Sequence, residues 1–333
     1  MRIALLGTGR IGQLHGRLLG EQPEVDEILI YDPDGSHAQQ GAQLAGEHAR
    51  LVESADEAID ASDAVVIAAS TTAHAALVTR SIEAGRPIFV EKPLAFDLEE
   101  TAGLVELVER SGAVVQLGFQ RRFDPAYREA KRRVDAGELG NVYLVRLIAH
   151  DQGPPHEAYI PVSGGLFRDS SIHDIDALRW VTGQEVVEVY AAGAVRNFPM
   201  FAKYDDIDTG LCIFTLADGM LASHSQTRHN PLGYDIRMEI MGSLDAVAVG
   251  LDARTPIRSL EAEPPRTAAP GWASFLDRFE AGYRAELQAF LRVARGELPV
   301  PCTARDGLEA TRVAIAATLS RKEHRPVRID EVR

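Results

Sequence analysis

Short apolar runs alternate with amphipathic stretches along the first 118 residues of the chain. Apolar runs bounded by turn residues predict strands that are buried on both faces, and spacings of three and four between apolar residues predict helices. The predicted strands are RIALLG, EILIYD, DAVVIAAS, PIFVEKP and AVVQLGF. Strands that alternate with helices in this way predict a doubly wound parallel sheet, the arrangement of a Rossmann domain.

The pattern changes in the second half of the chain. After a predicted helix at 124–136 and a long strand at 141–151, five strand-like segments follow between residues 185 and 250, several of them separated only by turn residues. Such a run is typical of a mostly antiparallel sheet. Two further helices are predicted at 273–296 and 303–322, and the weakly periodic segment 251–272 is predicted to be a loop.

These patterns predict an α/β protein of two domains. We expect a Rossmann domain at 1–120 and an α+β domain with a large, mostly antiparallel open sheet at 121–333. The length of 333 residues agrees with two domains. The net charge of −14 opposes binding to nucleic acid or to an anionic membrane surface.

Two other features concern the compartment. The chain has no apolar run of about 18 residues, the length that a membrane-spanning helix needs. Its two cysteines, Cys212 and Cys302, are too few for a disulfide framework, and MRIALLGTG starts as a strand and turn rather than as a signal peptide. We therefore expect a cytoplasmic protein.

A glycine-rich stretch, GTGRIG, lies between the first predicted strand and the first predicted helix. Such a G-x-G-x-x-G in this context predicts a loop that binds the pyrophosphate of a dinucleotide, rather than a turn without a ligand. Asp32 ends the second predicted strand, where a carboxylate accepts hydrogen bonds from the adenosine ribose. The expected cofactor contacts here are Gly7, Gly9, Arg10, Ile11, Gly12 and Asp32.

Asp32 also predicts which dinucleotide binds. Its negative charge would repel the 2′-phosphate of NADP, and no arginine follows in the next residues, PDGSH, so NAD is favoured. Further cofactor contacts are expected at the end of the strand DAVVIAAS, from Ser70, Thr71 and His74. The alternative is that the hydroxyl groups of Ser70 and Thr71 only cap the helix that begins near His74.

Two more patterns suggest proton chemistry. Lys92, in the sequence EKP, ends a predicted strand, where it would point into the crevice of a parallel sheet unless it is simply an exposed lysine. Asp169 and His173 are four residues apart, so they share one face of a helix, and Asp176 lies near that face. This face is an acidic surface, a metal site or a proton-transfer site.

GTGRIG, EKP and the later Asp-x-x-x-His, in this order along the whole chain, resemble the glucose-fructose oxidoreductase, inositol dehydrogenase and rhizopine catabolism (Gfo/Idh/MocA) family. Segments 118–127, 163–176 and 233–243 are similar to those of its inositol 2-dehydrogenase group. The resemblance implies NAD-dependent oxidation of a secondary hydroxyl of a cyclic polyol, with myo-inositol giving the 2-keto-inositol. It also implies a homotetramer or dimer that assembles through the C-terminal sheet.

The resemblance also implies roles for individual residues. Lys92, Asp169 and His173 would be catalytic, and Glu91 would join Lys92 at the cofactor. His173 can take the proton of the alcohol, and Lys92 can donate to the reacting oxygen. The expected substrate contacts are Asp169, His173, Arg121, Asp176, Tyr234 and His156. The last of these lies in the loop 151–162, which has no counterpart in the family pattern.

Three alternatives remain beside this interpretation. A metal site is not expected, because His150, Asp151 and His156 form no compact ligand motif and DDIDTG lacks the distal glutamate of an EF-hand. The same chemistry on another polyol, aldose or sugar acid is the nearest alternative enzyme. A regulator that only senses cofactor or sugar is the third, and the joint presence of Lys92, Asp169 and His173 opposes it.

Overall fold

Two compact units make up the chain in the computed structural model, which describes residues 1–261 and 269–332. The N-terminal unit comprises Met1–Phe123 and Gly282–Glu309, and the C-terminal unit comprises the described residues of Asp124–Ala281 and Ala310–Arg333. Residues 282–309 thus belong to the N-terminal unit. The predicted division after residue 120 did not include this second segment.

The N-terminal unit contains a six-stranded parallel sheet in the order β3-β2-β1-β4-β5-β6. Its strands are β1 Arg2–Leu6, β2 Glu27–Tyr31, β3 Ala49–Leu51, β4 Ala64–Ile67, β5 Ile88–Glu91 and β6 Val115–Gly118. Its helices include α1 Arg10–Gly20, α2 Gly35–Ala45, α3 Ala55–Ala61, α4 Thr71–Glu83 and α5 Leu98–Ser111. The order reverses between β1 and β4, which is where parallel sheets of this kind bind ligands.

The central strands of this sheet form the core of the unit. Every residue of β4, β5 and β6 is buried, as the continuous apolar runs predicted. The short strand β3 was not predicted, because two of its three side chains are exposed at the sheet edge and leave no apolar run to recognise.

The C-terminal unit is built on a seven-stranded sheet in the order β12-β11-β7-β10-β9-β8-β13. Its strands are β7 Val142–His150, β8 Val186–Ala194, β9 Thr209–Leu216, β10 Leu221–Thr227, β11 Asp235–Gly242, β12 Ala246–Val249 and β13 Val327–Arg328. All neighbouring pairs are antiparallel except β7 and β10, which are parallel. The two sheets confirm the predicted fold class.

The remaining helices are α6 Pro125–Asp135, α7 Ile160–Ser163, α8 Ile172–Thr182, α9 Phe275–Arg278, α10 Glu280–Ala294 and α11 Ala304–Glu323. The single helix predicted at 273–296 is therefore two helices, α9 and α10. The predicted loop 251–272 includes 262–268, which lie outside the described residues. None of the helices in the described part of the chain has the length and apolar character needed to cross a membrane.

The seven-stranded sheet has one buried face and one accessible face. Alternate residues of β9 and β10 are buried, among them Phe214 and Ala222. The other face exposes large apolar side chains, which are Tyr190, Leu211, Ile213 and Leu221. We call this set the outer apolar face. Exposed apolar patches of this kind mark interaction sites in soluble proteins.

Candidate active site

The glycine loop between β1 and α1 has two glycines that the fold requires and one that faces open space. Gly7 has φ +92°, and a Cβ there would lie 2.4 Å from the Cα of Ala69. A Cβ at Gly12 would lie 2.1 Å from the carbonyl oxygen of Gly7. A Cβ at Gly9 would meet no described atom within 4 Å. The loop therefore leaves room beside Gly9, at the N-terminus of α1, where helix dipole and backbone N–H groups favour an anion.

Asp32 follows β2 and lies beside this loop. Its Oδ2 accepts hydrogen bonds from the backbone N–H of Thr8 at 2.7 Å and from the Thr8 hydroxyl at 3.3 Å. Its Oδ1 accepts from the backbone N–H of Asp34 at 2.9 Å. These bonds fix the carboxylate next to the open space at Gly9, and Oδ1, which accepts a single hydrogen bond among them, has further acceptor capacity for a ribose hydroxyl. The residues present thus suit a dinucleotide.

The end of β4 adjoins the glycine loop through the contact between Gly7 and Ala69. Ser70 occupies the N-cap position of α4, yet its side chain makes no capping hydrogen bond there within the described chain. Its Oγ lies 3.2 Å from Oγ1 of Thr72. Ser70 is exposed and Thr71 is half-buried at the first turn of α4, so both remain placed for a cofactor contact.

His74 has a different setting from the one expected. Its ring is buried, with Nδ1 2.8 Å from the carbonyl oxygen of Pro93 and Nε2 3.1 Å from that of Ala69. Burial lowers the pKa of His74 below its usual value, although the two carbonyl groups act in the opposite direction. The ring ties the end of β4 to the EKP segment, and a contact between His74 and the cofactor stays a prediction.

Glu91, at the end of β5, is held by a buried histidine of α1. Nε2 of His15, on α1, lies 2.7 Å from Oε1 of Glu91, and the histidine side chain is fully buried. The other carboxylate oxygen accepts the backbone N–H of Lys92 at 3.2 Å. Glu91 therefore orients the peptide of Lys92, whose side chain is half-buried at the strand end.

The two arginines after β6 differ in their settings. Arg122 has a structural role, and Arg121 is the candidate for substrate contact. Arg122 forms an ion pair with Asp306 at 3.0 Å and donates to the carbonyl oxygen of Pro301 at 3.2 Å, all within the N-terminal unit. Arg121 is 2% exposed, so its guanidinium lies deep in the protein. A role for Arg121 at the substrate stays a prediction.

Asp169 does not lie on the same regular helix as His173. It belongs to a π-helical turn, Phe167–Ser171, and His173 is the second residue of α8. The spacing of four therefore does not place the two residues on one face of a regular α-helix, because backbone groups pair with i+5 rather than i+4 in a π turn. Such turns within helices occur frequently at functional sites.

The carboxylate of Asp169 has two partners that the sequence did not reveal. Its Oδ2 accepts from Nη2 of Arg228 at 2.8 Å, and its Oδ1 accepts from the hydroxyl of Tyr159 at 3.0 Å. Nη1 of Arg228 donates to Asp151 at 3.1 Å. Burial alone lowers the pKa of Arg228, but the charges of Asp169 and Asp151 outweigh it and raise the pKa above its usual value. Arg228 is therefore a permanent cation between two carboxylates.

A buried polar network lies between the π turn and β10. His224 and Asp174 are both fully buried, with Nε2 of the histidine 3.5 Å from the carboxylate. Nδ1 of His224 lies 3.3 Å from the amide nitrogen of Gln226, which also donates to Ser171. This network connects the sheet to the helix that carries His173.

The other expected substrate contacts are placed as follows. Asp176 has no accessible surface. Tyr234 is 9% exposed, and its backbone N–H donates to the carbonyl oxygen of Trp272 at 2.7 Å. His156 is exposed and caps a short 3₁₀ helix, with Nδ1 accepting from the backbone N–H of Ala158 at 3.2 Å. These three assignments stay predictions.

The acidic stretch DDIDTG has a structural explanation. Asp208 accepts the backbone N–H groups of Arg196, Asn197 and Phe198, at 2.7–2.8 Å, so its carboxylate pins the chain after β8. Across 1–261 and 269–332, no cluster of three or more His, Cys, Asp or Glu side chains is arranged to hold a metal ion.

Comparison with protein families covers both halves of the chain. Residues 1–119 match the family model described as "Oxidoreductase family, NAD-binding Rossmann fold". Residues 127–248 match the model described as "GFO/IDH/MocA C-terminal domain". Together these matches cover more than half of the chain and agree with the parallel sheet and the seven-stranded sheet described above.

Individual relatives match over nearly their whole length. The chain is 37% identical over 323 residues to the myo-inositol dehydrogenase Hyg17 of Streptomyces leeuwenhoekii, an alignment that covers 96% of this chain and 97% of the relative. It is 35% identical to the scyllo-inositol 2-dehydrogenase (NAD(+)) of Bacillus subtilis, which covers 99% and 96%. The crystal structure of a scyllo-inositol dehydrogenase from Lactobacillus casei, with bound NAD(H) and scyllo-inositol, superposes with a TM-score of 0.88 at 28% identity and 99% coverage of each chain.

Proposed function

The chain belongs to the GFO/IDH/MocA oxidoreductase family, and on that premise we propose that it oxidises one secondary hydroxyl of an inositol. It is an NAD-dependent dehydrogenase that acts on CH–OH groups. The proposed substrate is myo-inositol and the product is the 2-keto-inositol. The observation that carries this proposal is the near-complete alignment with a myo-inositol dehydrogenase at 37% identity.

A second inositol isomer is supported by an independent observation. The relative from Bacillus subtilis acts on scyllo-inositol, and its identity of 35% differs little from the 37% of the myo-inositol enzyme. The two isomers differ only in the orientation of one hydroxyl. We therefore propose scyllo-inositol as the second candidate substrate.

The cofactor is assigned to the loops around the glycine stretch. We assign the pyrophosphate to the loop of Gly7, Gly9 and Gly12, the ribose diol to Asp32, and the neighbouring contacts to Ser70 and Thr71. When bound, the nicotinamide accepts the hydride that leaves the substrate carbon.

His173 is assigned as the general base. Oxidation of a secondary alcohol to a ketone releases one hydride and one proton, and the proton passes from the hydroxyl to a ring nitrogen of His173. An imidazole takes up a proton near neutral pH, which suits this role. The ammonium group of Lys92 donates a hydrogen bond to the reacting oxygen and stabilises the negative charge that develops there.

Asp169 is assigned to orient the substrate or to stabilise the imidazolium of His173. Its ion pair with Arg228 at 2.8 Å favours the ionised carboxylate, which only accepts hydrogen bonds. An acceptor of fixed orientation selects among hydroxyl groups of a polyol by their direction. This property suits discrimination between inositol isomers.

The test is a substrate panel with the purified full chain. NADH formation, followed by absorbance, is measured with myo-inositol, scyllo-inositol, other cyclic polyols, aldoses and sugar acids, each with NAD and with NADP. We expect the highest kcat/KM with an inositol and NAD. Turnover of an open-chain sugar acid without turnover of any inositol would refute the proposal.

We further propose a homotetramer or dimer that assembles through the outer apolar face. Leu211 and Ile213 are 60% and 54% exposed on the same face of β9, and Tyr190 lies opposite Ile213 in the register with β8. Covering such side chains removes apolar surface from water. We also propose that residues 1–120 serve the cofactor, that 121–333 serve substrate binding and assembly, and that the enzyme works in polyol catabolism in the cytoplasm.

A further inference from the structure

Arg228 joins two carboxylates that are far apart in the sequence. The strands β7 and β10 pair in parallel, with His150 opposite Thr227. The residues that follow, Asp151 and Arg228, therefore lie at the same end of these two strands. Nη1 of the arginine lies 3.1 Å from Asp151, and Nη2 lies 2.8 Å from Asp169. The side chain of Arg228 is 5% exposed, so water screens these ion pairs little.

Asp151 begins the segment 151–160, which links β7 to α7 and which the family resemblance left without a role. The segment reaches Asp169 a second time near its end, where the hydroxyl of Tyr159 donates to Oδ1 of Asp169 at 3.0 Å. The carboxylate of Asp169 is therefore held from both ends of the segment. One end acts through Arg228 and Asp151, and the other acts through Tyr159 directly.

Three features make this a fixed arrangement rather than a surface contact. The Asp169 side chain is 13% exposed and the Asp151 side chain 24% exposed, so both carboxylates are mostly enclosed. Each nitrogen at the end of the guanidinium serves a different carboxylate, in a planar geometry that lysine cannot reproduce. The segment also contacts the residues that follow β10, because Nδ1 of His229 lies 3.0 Å from the carbonyl oxygen of Gln152.

We propose that Arg228 is a positioning residue that couples the segment 151–160 to the carboxylate of Asp169. Through this coupling, the conformation of the segment and the orientation of the carboxylate depend on each other. This inference rests on the proposed function, because it assigns Arg228 to the same reaction. Arg228 acts through Asp169 and needs no contact with the substrate. The segment thereby influences which polyol is accepted, because its conformation sets the direction of the Asp169 oxygens.

Kinetics of the full chain test the coupling. We expect Arg228→Met to lower kcat by about 10²-fold, as misplacement of a catalytic group by about 1 Å does, with the KM for NAD unchanged. Arg228→Lys should recover part of that loss, because an ammonium group can pair with one carboxylate but not with both. The matched control is Arg179→Met, which removes a buried arginine of α8 that pairs with Glu185 at 2.6 Å; its kcat should stay near that of the wild type.

A double-mutant cycle separates positioning from general destabilisation. If Arg228 acts through Asp169, then Asp169→Asn combined with Arg228→Met loses no more activity than Asp169→Asn alone. Two independent effects would multiply instead. Multiplicative losses would overturn the inference.

Hydrogen–deuterium exchange tests the tie without relying on activity. The amides of 151–160 should exchange faster in Arg228→Met than in the wild type or in Arg179→Met. Asp151→Asn keeps the bond between Arg228 and Asp169 and should also speed exchange in the segment, so the test stands even if Arg228→Met folds poorly. Unchanged exchange in Asp151→Asn would overturn the inference. If these variants show faster exchange but the wild type oxidises no polyol, only the proposed function is refuted.

Discussion

The backbone N–H of Thr8 donates to Oδ2 of Asp32 at 2.7 Å and so joins the glycine loop to the end of the neighbouring strand. The parallel register of β1 and β2, in which Leu6 lies opposite Tyr31, brings the two strand ends together. The residue that we propose for the ribose and the loop that we propose for the pyrophosphate are thus joined directly by a hydrogen bond. Cofactor choice should therefore depend on Asp32 alone in this region.

We predict that the wild-type enzyme prefers NAD and that Asp32→Asn weakens this preference. The amide keeps the size of the side chain, but it loses the charge that repels a 2′-phosphate and strengthens the bonds to the ribose. A hydrogen bond to a charged group contributes about 1.5–3 kcal/mol, so kcat/KM for NAD should fall by about 10–100-fold. Steady-state kinetics with both cofactors measure this, and a wild-type kcat/KM for NADP equal to that for NAD would contradict the prediction.

The glycines of the loop should respond differently to alanine. A Cβ at Gly12 would lie 2.1 Å from a carbonyl oxygen, so Gly12→Ala should destabilise the protein by about 1–3 kcal/mol, the typical cost of overpacking. A Cβ at Gly9 would meet no described atom within 4 Å, so Gly9→Ala should keep the melting temperature and weaken NAD binding. Thermal unfolding and calorimetric NAD titration separate the two effects. Equal melting temperatures for the two variants would refute this assignment.

We predict that His173→Ala lowers kcat by about 10²–10⁴-fold, the usual contribution of a positioned general base. The KM for NAD should change little, because the glycine loop stays intact. In the wild type, kcat/KM should rise with pH, since the deprotonated ring accepts the proton. The control is His48→Ala, a histidine whose Nδ1 lies 3.2 Å from the carbonyl oxygen of Asp26. Near-normal kcat and an unchanged acidic limb in His173→Ala would show that another group is the base.

The sequence predicted the strands that are buried along their whole length. The fully buried β4 and β5 appear as apolar runs, and the glycine loop follows from local spacing. The short edge strand β3 has mostly exposed side chains and therefore escaped prediction. Local patterns thus identify core strands well and edge strands poorly.

Two of the missed parts of the candidate site depend on contacts between distant residues, and a third is a local irregularity of the helix. Arg228 and Asp151 are 77 positions apart and meet only because β7 and β10 pair in parallel inside a mostly antiparallel sheet. His15 and Glu91 are 76 positions apart, and only the packing of α1 on the sheet pairs them. The π turn at Asp169 was not predicted, because a spacing of four residues also fits a regular α-helix. Sequence spacing alone carries none of this information.

The buried pair of His224 and Asp174 should stabilise the C-terminal unit. We predict that His224→Ala lowers the free energy of unfolding by about 3–5 kcal/mol, because it leaves a buried carboxylate without this partner and opens a cavity. Ser223→Ala, at the next residue on the opposite face of β10, should change it by less than about 0.5 kcal/mol. Urea unfolding measures both variants. A small effect of His224→Ala would mean that the network contributes nothing measurable.

The last prediction concerns the outer apolar face. Ile213 is 54% exposed on β9 and lies opposite Tyr190 of β8 and Ser223 of β10, so it is surrounded by the strands that would meet a second copy. A glutamate at this position would carry a charge into a closely packed interface, where its desolvation is unfavourable. We expect the wild type to be a dimer or tetramer by light scattering coupled to size-exclusion chromatography, and Ile213→Glu to shift it towards smaller species.

Ile257→Glu is the matched control, because Ile257 is exposed to a similar extent, 57%, but lies outside the seven-stranded sheet. It should keep the mass of the wild type. A stable dimer needs about 800 Å² of contact per partner, which is far more than one isoleucine side chain supplies. A change in mass caused by Ile213→Glu would therefore show that the whole outer apolar face is covered. A monomeric wild type at micromolar concentration, or equal masses for both variants, would show that this face does not hold the copies together.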